Sequence, residues 1–440
     1  MIPRSSTKAM KKILAGAGGV AVPDFAGVSD PRGQRGRRFS LRQLLEWLLC
    51  GMLGAFRSLT ALEALTARRG QPISDTTFYT LLALLPAEPF RKALHAQGHA
   101  LDRAKALEPE GLPCPVLTID NKTLYYGKEP LTADCQLTHL PKSHDVRYHL
   151  RTVGAVLTSS PLLPILDRWV IPPETNEMGM FPAFFTSLQQ TFGRGLLRTP
   201  IVTLDSGFCS LTNATLIDTA GWGYVFALKG NQGGLLEEAQ RALAEVNREE
   251  PEWTTPWESI QGRQVRRKLY RTDQLRDWET DGGAWLHLRQ VWLVVQEERV
   301  QVGKVKKGRW GKRFRPVWSE PRVAEERYFL SNLLWHDLKP EQILQVVRGH
   351  WGIENGAHWT LDMEWWQEDA APWCRKQEAL MVLALLRAMA LNLLRWLKSR
   401  HLRNSAVKSM GWKEVFEWVK EVMAGTLVLR LLAGESPSRR

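Results

Sequence analysis

Counting by four along HWGIENGAHWTLD (350–362) picks out His350, Glu354, His358 and Asp362. On a helix that spacing stacks side chains along one face. With the helix taken from about Gln342 and about 100° per residue, Ile343, Val347, Trp351, Leu361 and Trp365 fall within roughly a quarter-turn. Glu354 lies in the middle of that arc. The face expected to enter the core therefore carries a carboxylate, and a buried carboxylate needs a partner. A metal held by other acids would supply one.

Two further acids are placed alike. VLTID (116–120) and IVTLD (201–205) each read as two apolar residues, Thr, one apolar residue and Asp. Both are expected as buried parallel strands, because they are continuously apolar and β-branched. Each delivers an acid, Asp120 or Asp205, at its C-terminal end, the edge where sites form in open α/β sheets. Two neighbouring carboxylates repel unless they share a proton or cation, and an all-oxygen set suits Mg²⁺ or Mn²⁺. The competing reading is structural: an Asp after a strand often caps a turn, and DSGFCS (205–210) has that form.

His350 and His358 flank Glu354 one turn away. Two His eight residues apart do not make the H-E-x-x-H zinc pattern. They read instead as core groups fixing Glu354 or as phosphate contacts. Asp362, Glu364, Glu368 and Asp369 read as helix-surface acids, with Glu364 and Glu368 as spare candidates. Gly349, Gly352 and Gly356 weaken a helix, and either close packing or close approach of DNA would explain them.

The elements that must position these residues follow from periodicity. Residues 1–38 are irregular and basic; helical patterns begin after Ser40, over 74–85 and over 90–107. Residues 1–70 hold twelve Lys/Arg against four Asp/Glu, so 1–110 reads as a small basic helical domain that grips DNA or serves as a solvated scaffold. From Pro113 the period becomes two, with strands over 114–126, 147–160, 165–171, 199–208 and 223–231 and helices over 180–192 and 210–221. The order β-β-β-α-β-α-β implies an α/β mixed sheet with helices packed on it. After a charged helix (234–248), residues 233–325 read as a β-rich insertion. Within it GKVKKGRWGKRFR (303–315) carries seven basic residues, no acid, and the aromatics Trp310 and Phe314. That segment either contacts phosphates and stacks on a base or is a solvated loop. RYFLSNL (327–333) leads back to the core over 326–375, and 376–440 is helical.

Bulk composition narrows the partners. A net charge of +13 favours polyanions, nucleic acid first and anionic membrane second. Five scattered cysteines without a C-x-x-C pair argue against a disulfide framework or zinc knuckle, and fit a reducing cytosol. The apolar run 379–397 is interrupted by Arg387 and Arg395, and is expected as a buried helix rather than a membrane span.

At this point TIDNKTL (118–124), IVTLDSG (201–207), ALKGNQ (227–232), RYFLSNL (327–333) and RGHWGIENGAHWTLDMEWWQEDA (348–370) resemble a known family. The chain resembles a bacterial insertion-sequence transposase of the DDE type, in the branch with the H-repeat-associated transposases. The resemblance covers about 115–395. It implies a ribonuclease-H-like core over 113–232 and 326–375, interrupted by the insertion at 233–325. It implies Asp120, Asp205 and Glu354 as a catalytic triad holding two Mg²⁺ or Mn²⁺ ions. The implied activity is metal-dependent cleavage at the element's ends and strand transfer into target DNA. The implied partners are double-stranded terminal inverted repeats and target DNA, with a dimer or larger assembly on DNA, no membrane, and a cytoplasmic, nucleoid-associated location.

One departure matters. Where the wider superfamily has a Tyr-Arg-Glu-Lys signature, this chain has Val347, His350 and Leu361 in place of the Tyr, Arg and Lys. Lys229, Arg348 and His350 are the expected substitutes in contacting phosphate. The remaining DNA contacts are expected from Asn231, His358, Lys304, Lys306, Lys307, Arg309, Trp310, Lys312, Arg313 and Arg315. Two other functions stay open: a structure-specific metal-dependent nuclease on the same fold, and a non-catalytic DNA-binding descendant of a transposase.

Overall fold

The computed structural model describes residues 22–35, 37–140, 145–280, 283–285, 287–306, 314–364, 368, 373–400 and 411–423. The chain forms two compact units: 1–110 with 117–198 and 351–440, and 111–116 with 199–350.

The first unit opens with helices α1 (Leu41–Leu53), α2 (Leu59–Arg68), α3 (Asp75–Leu84) and α4 (Glu88–Arg103). Ser40, Ser58 and Ser74 start the first three, each accepting a hydrogen bond from a backbone N–H three residues on. The short α2 is absent from the sequence reading. Strands β1 (Val116–Gly127), β2 (Gln136–His139), β3 (Val146–Leu157) and β4 (Ile165–Val170) follow. All pairings here are antiparallel: β1 lies on one side of β3, and β2 and β4 share the other. The added β2 makes four leading strands where three were expected. Helix α5 (Glu177–Phe192) buries Phe181, Phe184, Phe185, Leu188 and Phe192, a helical stripe.

The second unit is built on β5 (Ile201–Leu204), α6 (Leu211–Thr219), β6 (Gly223–Leu228) and α7 (Gly233–Ala244). It continues through β7 (Trp253–Thr254), β8 (Glu258–Ile260), β9 (Arg263–Thr272), the small hairpin β10 (Glu279–Thr280) and β11 (Gly283–Ala284), then β12 (Gln290–Lys306), β13 (Phe314–Trp318) and β14 (Arg322–Ser331). β5 and β6 are parallel. β14 pairs antiparallel with β6 and with β12, β12 also pairs with β9 and β13, and β9 with β7 and β8. The segment expected as an insertion thus supplies strands to the same sheet as β6, and the boundary expected at 325/326 falls inside β14. Helix α8 (Pro340–Gly352) covers this sheet: Ile343, Leu344, Val346 and Val347 join Val116, Ile201, Val225, Trp292 and Phe329 in one core. At its rim Ile201 N–H donates to the Pro115 carbonyl (2.9 Å).

The C-terminal helices α9 (Gln377–Arg400) and α10 (Trp412–Met423) belong to the first unit. A stretch of α9, Glu378–Ser399, is long and apolar enough to cross a membrane, and its most apolar 18-residue window is buried inside the protein. Its Asn392 satisfies an otherwise exposed strand position: Oδ1 accepts from Ile165 N–H (2.9 Å) and Nδ2 donates to Ile165 O (2.8 Å) and Gln97 Oε1 (3.0 Å). Asn392→Leu removes both partners of a buried peptide unit, and the expected loss is roughly 2–4 kcal/mol, read from the urea midpoint. All five cysteines are free thiols.

Candidate active site

Asp120 sits on β1 opposite Gly154 of β3, its side chain 11% exposed. Its Oδ1 accepts from Asn121 N–H (2.8 Å), and its Oδ2 stands 3.7 Å from His358 Nδ1. His358 arrives on an unusual backbone. Beyond Gly352 the chain widens into i→i+5 turns over Ile353–His358 and again over Thr360–Glu364. Such π turns are rare and occur mostly within α-helices at functional sites.

The widening corrects the expected position of Glu354. Ile353, Ala357 and Leu361, four residues apart, are buried together with Thr360, and Glu354 is exposed. An α-helical projection continued through the segment puts Glu354 among the core residues; the extra residue taken into the π turn rotates it out. Trp351 is half-buried, and Trp365 lies outside the described residues.

The π backbone is held from α9 and from its own turn. Arg395 Nη2 (2.8 Å) and Thr360 Oγ1 (2.6 Å) both donate to the Gly356 carbonyl, and Arg395 Nη1 donates to Leu163 O. Burial pushes Arg395 down to about 9. A Cβ on Gly356 would stand 2.8 Å from Leu163 Cδ1, so packing accounts for that glycine.

Asp362 and Glu368 are not free-standing surface acids. Lys122, two residues beyond Asp120 on β1, donates to Asp362 and lies 3.6 Å from Glu368. Glu368 is fully buried. Arg168 of β4 grips it with two bonds of 3.0 Å, and Arg387 of α9 approaches to 3.7 Å. Burial alone would raise the Glu368 carboxyl, but Arg168, Lys122 and Arg387 overcome it and hold it at about 2. Glu368 is therefore structural, not a spare catalytic acid. Lys122, Arg168 and the pairing of Arg387 were missed from sequence; the arginines interrupting an apolar run were the available signal. The side chain of Glu364, and Asp369, lie outside the described residues.

In the second unit Asp205 follows β5 and caps a 3₁₀ turn, Ser206–Phe208, its Oδ1 accepting from Gly207 N–H (3.0 Å). The capping reading of DSGFCS holds, through one carboxylate oxygen. The ALKGNQ stretch braces this turn: Asn231 Nδ2 donates to Ser206 O (2.6 Å) and Gln232 Nε2 to Cys209 O (3.0 Å). Asn231, expected at DNA, is thus engaged within the protein. Lys229 continues β6 in extended conformation and is exposed.

Two expected phosphate contacts change character. His350 is half-buried, its Nδ1 3.2 Å from Thr203 Oγ1. Burial, then Arg327 and Lys229, push it down to about 4, so it is neutral at pH 7 and offers no cationic contact. Arg348 forms a two-pronged pair with Glu258 (2.8 and 2.9 Å). The described residues of the basic segment 303–315 lie at the end of β12 and the start of β13, with Lys306 opposite Phe314 and Arg315 opposite Val305; Lys304 is exposed. Lys307, Arg309, Trp310, Lys312 and Arg313 lie outside the described residues.

Among the described residues no three His, Cys, Asp or Glu side chains are grouped closely enough to hold a metal ion. The carboxylate oxygens of Asp120, Asp205 and Glu354 are nevertheless the donor type that hard divalent ions prefer.

Comparison with known proteins gives the family. The chain is 27% identical to "Putative protein YbfL" of Escherichia coli K12 over 287 residues, 63% of this chain and 64% of that one. It is 26% identical to "H repeat-associated putative transposase YhhI" of the same strain, with the same coverage. It thus spans just under two thirds of the length of these relatives. A piggyBac transposase synaptic complex with hairpin DNA aligns with a TM-score of 0.46 and 11% identity, over 100% of this chain and 84% of that chain. Residues 141–393 match the transposase DDE domain, a span that includes Asp205 and Glu354 and begins after Asp120. The chain belongs to the transposase DDE domain family.

Proposed function

We propose that the protein is a DDE transposase that cleaves DNA at the ends of an insertion sequence and transfers the freed strand into target DNA. Asp120, Asp205 and Glu354 are its carboxylates, on a ribonuclease-H-like core. The observation that carries the reading is the His358–Asp120 approach, which sets the segment bearing Glu354 against the strand bearing Asp120. The remaining member, Asp205, rests on the likeness of IVTLD (201–205) to VLTID (116–120), each of which ends on Asp.

Two Mg²⁺ or Mn²⁺ ions, if held by these carboxylates, would supply activation of the attacking oxygen and stabilisation of the leaving one. The chain's own part is to present three oxygen donors on rigid supports. Asp205 is fixed by its cap, Asp120 by the β1 ladder, and Glu354 by the π turn that Arg395 and Thr360 hold. Water is the nucleophile of the first step and the freed 3′-hydroxyl that of the second; no side chain becomes covalently attached. The net charge of +13 suits double-stranded terminal repeats and target DNA as partners. Bringing two ends together calls for a dimer or larger assembly, working in the cytoplasm at the nucleoid.

The test is incubation of purified protein and Mg²⁺ with DNA carrying the element's own terminal repeats. Nicks with 3′-hydroxyl ends and joined products are expected. Cleavage without joining would favour a structure-specific nuclease, and DNA binding with no cleavage a non-catalytic descendant.

A further inference from the structure

The chain lacks the Arg and Lys that usually flank the Glu of this superfamily, and two of the three expected substitutes are not available as cations. His350 is half-buried and neutral, and both Nη atoms of Arg348 are taken up by Glu258. Lys229 remains, and the sheet supplies a second cation that the sequence reading did not single out.

The β6–β14 ladder ends at Leu228 opposite Tyr328. The next position on β6 is Lys229, still extended, and the next on β14 is Arg327. The two strands are antiparallel, so two cations face each other across the ladder's end. Arg327 stands opposite Val294 on β12, and Lys229 is two residues beyond Ala227 on β6; Val294 and Ala227 pack in the core that α8 covers, so the two cations share that sheet face. Like charges directly opposite one another destabilise a sheet. Arg327 also reaches Glu325 (2.6 Å), and Arg267 and Arg348 share Glu258. Thr203, which meets His350, is two residues before Asp205 on the same strand.

We propose that Lys229 and Arg327 together form a phosphodiester-binding pair, which seats the DNA backbone beside the end of β5. The proposal rests on the transposase reading. The pair takes over the phosphate contacts for which the family signature is missing. An anion between the two side chains relieves the repulsion that the bare sheet carries. His350 has a positioning part: neutral and bonded to Thr203, it closes the space beneath the cations without adding a third charge.

The test uses the full-length protein, a short mixed-sequence DNA duplex and a salt titration of binding. Lys229→Ala and Arg327→Gln are each expected to weaken binding about tenfold and to flatten the log–log salt slope by about 1. Arg327→Lys should restore most of the binding. Without DNA, Lys229→Ala should melt no lower than wild type, because it removes a repulsion. Salt slopes equal to wild type in both variants would overturn the proposal. So would binding lost only together with a fall in melting temperature and not rescued by Arg327→Lys, since that is a folding defect. Wild type that binds no duplex would overturn both readings. Wild type that binds the duplex but neither cleaves nor joins terminal-repeat DNA would overturn the transposase reading while leaving the slope comparison intact.

Discussion

Glu354→Gln is expected to lower Mg²⁺-dependent strand cleavage by roughly 10³-fold or more, since it removes a charged metal donor, while leaving DNA binding and melting temperature unchanged. The side chain is exposed, and the packing of its turn is done by Ile353 and Ala357. The substitution preserves shape, so little but the negative charge is lost. Asp205→Asn belongs to the same experiment. Asn is as good a cap as Asp, so the turn bonded through Gly207 N–H should survive while cleavage falls as far. Asp120→Asn should also abolish cleavage but with some loss of stability, because this carboxylate is buried and faces His358. Gel analysis of nicked product, with parallel binding and melting curves, checks all three. Cleavage retained in any one would remove that residue from the triad.

The largest expected effect on stability is that of Glu368→Ala. It leaves Arg168, Lys122 and Arg387 buried together without their common counter-charge, and removing one partner of a buried ionic cluster costs about 3–5 kcal/mol. The urea midpoint should fall accordingly. The same carboxylate makes the fold acid-sensitive. Its folded value of about 2 lies below its ordinary 4.5. Its stabilisation, roughly 3 kcal/mol, is complete above about pH 4.5. It is lost as the pH falls from there through about 2. In Glu368→Gln, which keeps the shape and some of the bonds, stability at neutral pH should drop and the decline across that acid window should shrink. An unchanged acid profile would mean that another group carries it.

Much of the element order was legible because it is written locally. Serine caps announce the helices after Ser40, Ser74 and Ser210, and runs such as VLTID and IVTLD announce buried strands. The position of Asp205 after β5 came from the same local signal, whereas Asp120, expected at the C-terminal end of its strand, is the fifth of the twelve residues of β1, because the strand runs on to Gly127 in its ladder with β3. What escaped the reading is non-local. Nothing in WGIENGAH marks an i→i+5 backbone, since its extra residue is accommodated by Arg395 of α9 and by Leu163, both distant in sequence. The projection of Glu354 into the core failed for that reason. Glu368 looked like a surface acid because its partners, Lys122 and Arg168, lie some 200 residues or more away. The partner of the β-rich segment was likewise invisible: alternation identifies β12 and β14 as strands but not their union with β6.

The central claim is tested most directly by diffraction from crystals of the protein bound to cleaved terminal-repeat DNA and Mn²⁺, recorded at the manganese edge. The expected result is a pair of manganese peaks about 3.5–4 Å apart, ligated by oxygens of Asp120, Asp205 and Glu354, with the DNA 3′-hydroxyl against one of them. Ordered DNA with manganese elsewhere, or with any of the three carboxylates turned away from it, would contradict the account.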